Sequence, residues 1–207
     1  MKIVRPVIIV LLCALNIYLF GFAPGNIKEP PQNVDAANVT VVSAPDQTEA
    51  AEHPDFKKKE YKLVLPEGTN IALKKKVDAS SFNDVYTPRK VTDGVALGVS
   101  YWEGKSDYPN YLTVDLESVQ QFHAIRVALS PMAIWGKRTQ TFAVNLSDDG
   151  KEFKPFIESK QYTFDPDTGN EVQLLFDDTK ARYVQLVFTE NSGAGGGQVA
   201  EFEVYQK

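Results

Sequence analysis

From about Asn70 to the C-terminus, the sequence predicts an all-β sandwich or barrel. Short stretches of alternating apolar and polar residues recur there, and clusters of turn-forming residues separate them. No window in this region has the periodicity of an amphipathic helix, which excludes a helical fold. The predicted strands are 111–116, 122–129, 141–147, 171–176, 183–189 and 199–205.

The turns between these strands support the same fold class. Positions 148–150 are Asp-Asp-Gly and positions 167–170 are Asp-Thr-Gly-Asn, and each set carries residues that tolerate positive φ or close local side-chain turns. The glycine-rich stretch 192–197 is not a phosphate loop, because no Gly-Lys-Ser/Thr follows it, and it is predicted to be a flexible or close-approach loop. Within 122–129 the near period of two places His123 and Arg126 on the outer face, with His123 a surface or edge residue rather than a ligand.

Composition excludes several function classes. Lys and Arg total 22 against 27 for Asp and Glu, a net charge of -5, so the chain has no overall basic field that would attract nucleic acid. Its single cysteine, Cys13, lies in the apolar N-terminal run, which excludes a disulfide in the folded part. With only two histidines, the folded part lacks the ligands for a cysteine-based or multi-histidine zinc site.

The N-terminal 23 residues are predicted to form a signal anchor or a signal peptide. Lys2 and Arg5 precede the apolar run 7–23, which would form a hydrophobic helix with its C-terminal side outside the cytoplasm. Pro24 would follow the cleavage site and disfavours cleavage, but both alternatives stay open. The protein is therefore expected in the cell membrane as a single-pass protein with its C-terminus outside, or secreted.

A flexible spacer is predicted over 24–61. This stretch is rich in Pro, Ala and acidic residues, has few aromatic residues, and shows no sustained period. A single folded domain over 62–207 completes the predicted organisation, in keeping with the usual size of one domain.

The folded part resembles the discoidin, or F5/8 type C, family of galactose-binding-like domains, especially the bacterial carbohydrate-binding modules. The resemblance rests on a series of motifs in the family's order: NIALKKKVDASS, VTDG, YWEG, PNYLTVDLES, RTQTFAVNLSDDGKEF, YTFDPDTGNEV, ARYVQLVFTENS and GQVAEFEVY. It implies a jelly-roll-like β-sandwich of about eight strands with recognition loops at one end. Two departures are Glu117, where the family usually has glycine, and a longer segment between Asp93 and Trp102.

The resemblance also implies a structural calcium site. Calcium binds six to eight oxygen atoms in flexible geometry, so a loop and one distant carboxylate can share it. The implied ligands are the carboxylates of Asp93 and Glu201, an oxygen of Ser100, and the backbone carbonyls of Lys90, Gly98 and Ala200. The alternative is that Asp93 caps a turn and Glu201 is an exposed strand residue. The EF-hand-like run 165–169 lacks the terminal glutamate at the required spacing and is predicted to be a turn.

Candidate ligand-binding residues lie in the predicted loops. A sugar site needs an aromatic platform with amide or charged groups beside it. The candidates are Tyr86, Tyr108, Asn110, Trp135, Arg138, Asn191 and Gln198. Trp102 is predicted to belong to the core. Trp135 could instead shield the end of the barrel, and Arg138 could instead pair with a carboxylate such as Asp115.

These observations predict a non-catalytic extracellular module that binds a glycan or polysaccharide, with the membrane contacted through the N-terminal segment. The alternative is an envelope module for protein interaction or adhesion that has no glycan ligand. No sequence context marks a carboxylate pair or a serine motif for hydrolysis, so no enzyme activity is expected. The sequence does not specify an oligomeric state.

Overall fold

The computed structural model of the chain describes residues 53–207, which form nine β-strands joined by loops and short 3₁₀ turns. The strands are β1 (Thr69–Asn70), β2 (Lys76–Ala79), β3 (Trp102–Glu103), β4 (Asn110–Ala128), β5 (Arg138–Ser147), β6 (Lys154–Phe164), β7 (Glu171–Asn191), β8 (Gln198–Val199) and β9 (Glu201–Gln206). The 3₁₀ turns cover Pro54–Phe56, Pro88–Thr92, Ala133–Trp135 and Pro166–Thr168. Residues 53–207 contain no helix long and apolar enough to cross a bilayer, and the predicted membrane segment 7–23 lies outside them.

Two long bent strands build the sandwich. The main sheet has seven antiparallel strands in the order β1-β9-β4-β7-β5-β6, with β2 also paired to β4, while β3 and β8 form a separate pair. The first half of β4 pairs with β2 and with residues 183–188 of β7. The second half, 120–128, pairs with β9 and with the first half of β7. The predicted all-β sandwich is confirmed.

Aromatic side chains fill the core between the two layers. Trp102 is fully buried as predicted, lies 5.7 Å from Phe188 between ring centroids, and donates its indole N–H to the Ser81 carbonyl oxygen at 2.9 Å. The other large side chains excluded from solvent include Phe122, Phe142, Phe164 and Phe202. Apolar burial on this scale is the main force that holds a domain without disulfides together.

The sequence pattern divides β4 and β7 into shorter strands and misses β6 and the short strands β1, β2 and β3. Polar residues interrupt the alternation of β4 at its bend, where the pairing register shifts between Asp115 and Gln120. A polar interruption of this kind looks the same in the sequence as a loop. β6 is an edge strand that pairs only with β5, carries Pro155 and exposes many of its side chains, so its hydrophobic alternation is weak.

Glu117, at the bend of β4, adopts a left-handed backbone conformation with a φ of 72°. This conformation crowds the Cβ atom of any residue but glycine and costs roughly 1–2 kcal/mol. It gives a physical reason why a glycine suits this position. In the present chain the Glu117 carboxylate forms an ion pair with the ammonium group of Lys75.

Replacing Glu117 with glycine is expected to raise the free energy of unfolding by roughly 0.5–1 kcal/mol, measured by urea denaturation. Relief of the strained φ outweighs two opposing effects. One is the loss of an exposed ion pair, which contributes at most about 1 kcal/mol, and the other is the greater freedom of glycine in the unfolded chain. Glu117→Ala is the matched control, because it removes the ion pair but keeps the strain. Equal stabilities of the two variants would contradict the role given to the backbone angle.

An N-terminal strap, residues 54–66, packs along the sandwich. It begins before Lys62, the predicted first residue of the folded domain. Lys58 forms an antiparallel bridge with Met132, and the Lys59 N–H donates to the Pro131 carbonyl oxygen at 3.2 Å. Farther along, the Val64 carbonyl oxygen accepts a 2.7 Å hydrogen bond from the Gln173 side chain. The strap therefore contacts both the loop after β4 and the outer face of β7.

Beneath the strap lies a buried ion cluster centred on Arg126. Its guanidinium donates to Glu171 at 2.7 Å and to Glu203 at 2.8 Å. Arg126 is only 5% exposed and His123 only 9% exposed, so the prediction that His123 is a surface residue is wrong. His123 lies at a register shift between Phe122 and Ala124, and no residue of 53–207 hydrogen-bonds to its Nδ1 atom. A bulge that breaks the period of two explains the difference.

Candidate functional site

A groove of about 380 Å³ lies where β4 ends and β5 begins. Its size falls at the lower end of the usual range for ligand pockets, about 300–1,000 Å³. The loops before β3 and after β4, the starts of β5 and β8, and the strap all contribute to it. The lining residues are Phe56, Gly98, Val99, Tyr101, Met132, Ile134, Trp135, Arg138 and Gln198.

Another cavity, of about 430 Å³, lies at the opposite end of β5 around the turn 148–150. Charged side chains such as Glu152, Lys154 and Lys180 dominate its lining, and its single aromatic residue, Phe156, packs partly against the core. It therefore lacks an aromatic surface on which a ligand ring could stack. The groove is the stronger candidate.

Three aromatic rings form one side of the groove and its support. Tyr101 packs edge-on against Trp135, with 4.7 Å between ring centroids. Behind it, Tyr86 stacks on Tyr101 at 4.2 Å. Trp135 is 8% exposed, so it lines the groove from within its wall rather than standing free as a platform. Tyr101 is not among the predicted ligand residues, although its position directly before Trp102 is a signal for a ring near the core surface.

Arg138 is held in the groove without a carboxylate partner. Its guanidinium lies 5.0 Å from the Trp135 ring centroid and donates to the side-chain oxygen of Gln198 at 2.6 Å. On its other side the backbone of Gly193 approaches so closely that an added Cβ would lie 2.7 Å from the guanidinium carbon. No ion pair joins Arg138 to a carboxylate among residues 53–207.

The predicted alternative pairing of Arg138 with Asp115 is wrong. Asp115 instead accepts two hydrogen bonds from Arg182, at 2.8 and 2.9 Å, because the register of β4 and β7 brings Arg182 close to it. These hydrogen bonds are the first cause of a lowered Asp115 pKa. Burial lowers the pKa of Arg138, and the charge of Glu103 opposes this shift, yet an arginine remains protonated near neutral pH.

Gln198 and its neighbours connect Arg138 to the core. The Gln198 amide donates to Glu103 at 2.7 Å, and the Glu103 carboxylate also accepts from Asn83 at 2.9 Å. This network fixes the orientation of the Gln198 oxygen that faces Arg138. It therefore holds the guanidinium in place within the groove.

Three other predicted ligand residues have mainly structural contacts. Asn110 is fully buried, and its side chain bonds to the backbone of Lys105 and of Gly197. The Asn191 amide donates to the Gly196 carbonyl oxygen at 2.8 Å. Tyr108 is half-buried, with a buried hydroxyl. These side chains support the loops around the groove and are not among the residues that line it.

The glycine-rich stretch between Asn191 and Gln198 packs closely against its neighbours. A Cβ atom on Gly196 would lie 2.0 Å from the Gly104 carbonyl oxygen. Any other residue there would force the two loops apart. The close-approach interpretation of this stretch is correct at Gly196.

Two carboxylates meet beside the loop that follows the Pro88–Thr92 turn. Glu201 is 2% exposed and its Oε1 atom accepts from the Gly94 N–H at 3.0 Å, so the alternative of an exposed strand residue is wrong. The other part of that alternative is correct, because Asp93 caps a turn by accepting from the Val95 N–H at 2.7 Å. Its Oε2 atom is buried and accepts no hydrogen bond from residues 53–207. Burial first, and then the charges of Glu203 and Asp93, raise the pKa of Glu201 to about 8. An acid so destabilised in its ionised form is suited to receive a cation.

The chemistry of this site fits a calcium ion. The Asp93 carboxylate accepts from Ser100 Oγ at 2.5 Å, so a hydroxyl lies beside the two carboxylates. Residues 53–207 contain no group of three or more His, Cys, Asp or Glu side chains able to hold a metal, so neutral oxygens would have to complete the shell. Calcium accepts such oxygens readily. Asp93, Ser100 and Glu201 would hold the ion.

The three predicted carbonyl ligands, Lys90, Gly98 and Ala200, stay predictions. The ammonium group of Lys90 donates to the Val99 carbonyl oxygen at 2.7 Å, which ties the loop to the Pro88–Thr92 turn. The Ala200 N–H donates to the Ala128 carbonyl oxygen at 2.7 Å. Gly98 also lines the groove, so one loop connects the candidate metal site with the candidate ligand site.

Residues 76–202 match the family described as the F5/8 type C domain. No curated protein matches the chain. The match covers more than half of the sequence and includes every strand except β1 and most of β9. The strap lies outside it.

Solved structures share the fold at low sequence identity. SpGH29 is 23% identical with a TM-score of 0.54 over 67% of this chain, and this chain spans 28% of SpGH29. The CBM32 module of AlyQ, in complex with 4,5-unsaturated mannuronic acid, is 22% identical with a TM-score of 0.52, covering 64% of this chain and 95% of that module. CpGH89CBM32-5 from Clostridium perfringens, in complex with GalNAc-β-1,3-galactose, is 23% identical with a TM-score of 0.51, covering 63% of this chain and 94% of that module.

Proposed function

Since the chain belongs to the F5/8 type C domain family, we propose that it is a non-catalytic extracellular module that binds a glycan through the groove beside Trp135. The observation that carries this proposal is the combination of aromatic rings with Arg138 and Gln198 in one groove. Sugar rings offer apolar C–H faces to aromatic side chains and hydroxyl groups to hydrogen-bonding groups. Support also comes from the similar modules described above, two of which were solved with sugars bound.

The chemistry of the groove supports a binding role rather than hydrolysis. A glycosidase needs two carboxyl groups flanking the scissile bond, and the residues that line the groove include no aspartate or glutamate. The groove offers donors and apolar surface instead. These groove residues are suited to binding a ligand without catalysing a reaction.

A glycan array probed with the full-length protein tests the proposal. Signals are expected for a defined subset of glycans, with dissociation constants in the millimolar-to-micromolar range and a gain when the protein is displayed on a multivalent support. The array is run once in calcium and once in EDTA. Absence of any signal in calcium would rule out a glycan ligand.

Replacing Arg138 with methionine is expected to weaken binding of an array-positive glycan by about 10-fold or more, measured by titration calorimetry. Hydrogen bonds to a charged donor contribute roughly 1.5–3 kcal/mol, and methionine cannot donate one. Arg182→Met is the matched control, because Arg182 pairs with Asp115 and does not line the groove. Equal losses in both variants would mean that Arg138 acts through stability and not through contact with the ligand.

A bound calcium ion forms the structural part of this proposal. Asp93, Ser100 and Glu201 would bind it, and the ion would supply the positive charge that the buried Glu201 carboxylate lacks. Because Gly98 and Val99 belong both to the loop and to the groove lining, calcium would also stabilise one wall of the ligand site. The buried, unbonded Oε2 atom of Glu201 supports this assignment.

The location outside the cytoplasm rests on the charge pattern around the apolar run 7–23, and either an anchored or a secreted form agrees with it. The second candidate function is protein interaction or adhesion. Leu63, Val64, Leu65 and Leu175, each more than 40% exposed, favour it, since exposed apolar patches mark interaction surfaces. An array without glycan signals would favour this second function.

A further inference from the structure

The groove has two chemically different sides. Phe56, Val99 and Ile134 line it while remaining 51%, 65% and 53% exposed, so three large apolar side chains face solvent within a single site. Arg138 and Gln198 line it too, and Arg138 has no carboxylate partner within residues 53–207. A ligand that fills this groove must therefore carry an apolar group and a hydrogen-bond acceptor close together.

The strap supplies one of the apolar walls. Phe56 ends the Pro54–Phe56 turn, and the next residues are fixed to the loop after β4: the Lys57 carbonyl oxygen accepts from the Ala133 N–H at 3.3 Å, and Lys58 bridges to Met132. The ammonium group of Lys59 pairs with Asp167 at 3.0 Å. These contacts hold Phe56 on the same side as Ile134. Phe56 lies outside residues 76–202, so the match to the family does not include this wall.

We infer that the groove recognises a sugar carrying an acetamido group, with Phe56, Val99 and Ile134 holding the methyl group and Arg138 donating to the carbonyl oxygen. This inference rests on the proposed glycan-binding function and names the ligand class. An unsubstituted sugar ring could stack a C–H face on Phe56, but it would still place hydroxyl groups against Val99 and Ile134, where they would lose their hydrogen bonds to water. An acetamido group has the required combination of one apolar methyl group and one strong acceptor.

The positive charge of Arg138 would also attract an acidic sugar, whose carboxylate it could bind in a bidentate manner. An acidic sugar has no methyl group to cover Val99 and Ile134, and its binding would depend less on Phe56 than that of an acetamido sugar. The two ligand types therefore differ in the expected effect of a change at Phe56. The three exposed apolar side chains beside one arginine favour the acetamido group.

The test uses calorimetric titration of the full-length protein in calcium with two sugar pairs: N-acetylglucosamine with glucose, and N-acetylgalactosamine with galactose. Galacturonic acid is the acidic probe. In at least one pair the N-acetyl member is expected to bind on the order of 10-fold more tightly, the usual effect of a methyl-sized group in an apolar pocket. Phe56→Ala should remove this preference, and Phe56→Leu should keep most of it. Phe82→Ala, at a phenylalanine that is 44% exposed and does not line the groove, should leave it unchanged.

Equal binding of both members of each pair would overturn the inference, and so would an unchanged preference in Phe56→Ala. Preferential binding of galacturonic acid would overturn it as well, while supporting a glycan site at Arg138. If no sugar in either pair binds, the inference fails. The glycan array tests the proposed glycan-binding function separately. Thermal melting of each variant, expected to match the unmodified protein, separates loss of contact from loss of fold.

Discussion

Replacing Arg126 with methionine is expected to lower the free energy of unfolding by about 3–5 kcal/mol. The substitution removes the only cation of the ion cluster and leaves Glu171 and Glu203 buried under the strap without compensation. The Glu203 carboxylate would keep its hydrogen bond from the Tyr205 hydroxyl, and Glu171 would keep the one from Gln173, but neither donor carries a charge. Urea denaturation followed by fluorescence measures the loss.

Arg182→Met provides the control for this prediction. Arg182 also pairs with a carboxylate in the sandwich, but its side chain is 37% exposed, so losing the pair should cost far less than losing Arg126. The contrast tests burial, because the chemical change is the same in both variants. A loss below about 1 kcal/mol in Arg126→Met would show that the cluster stays hydrated and that the strap does not seal it.

In the metal-free protein, stability is expected to fall as the pH rises from about 5 to about 8. The pKa of Glu201 is raised to about 8 in the folded state, whereas the ordinary value for the unfolded chain is 4.5. The protonated form is therefore favoured by folding, so its stabilisation is complete below the unfolded value and is lost as the pH passes through the folded value. Each unit of difference corresponds to about 1.4 kcal/mol, which predicts a loss of a few kcal/mol over this interval.

Calcium should reverse this trend, because it needs the ionised carboxylate and takes the place of the proton. At 100 times the dissociation constant, calcium would add about 2.7 kcal/mol of stability, or several degrees in melting temperature, and most at pH 8. Calorimetric melting between pH 5 and 8, in EDTA and in calcium, measures both effects.

Glu201→Gln should remove the pH dependence and the calcium response together, whereas Glu152→Gln, at an exposed glutamate, should change neither. Asp93→Ala should abolish the calcium response and weaken the pH dependence, since the Asp93 charge contributes to the raised Glu201 pKa. A calcium response that survives in both Asp93→Ala and Glu201→Gln would exclude these two carboxylates as ligands.

Local sequence patterns were enough to predict much of the fold. Most of the features that could not be predicted depend on contacts between residues far apart in the sequence. The turns at 148–150 and 167–170 could be predicted because Asp and Gly act on their own backbone. The partner of Asp115 could not be predicted, because the register of β4 and β7 decides whether Arg138 or Arg182 reaches it. Only the family resemblance predicts that Asp93 and Glu201 lie together, because no local pattern relates two residues that are separated by 107 others.

The site was harder to predict than the fold for a related reason. Phe56 lies in a stretch without period, where an exposed aromatic residue looks no different from any other spacer residue. Tyr101 precedes a core tryptophan, and its role appears only when the loop after β4 brings Trp135 against it. The sequence predicts Asn110 and Gln198 to be polar loop residues, and only the packing of the glycine-rich stretch shows that Asn110 is internal.

The strap also affects how such a module could be exchanged between proteins. A gene segment encoding only residues 76–202 would transfer the Asp93 loop and most strands of the sandwich. It would leave behind Phe56 and Tyr61, whose ring packs against Gly169, and most of β9. The Arg126 cluster would then lose both its cover and the carboxylate of Glu203. Recombination at the family boundary would thus transfer the scaffold, while part of its selectivity and stability would stay with the donor chain.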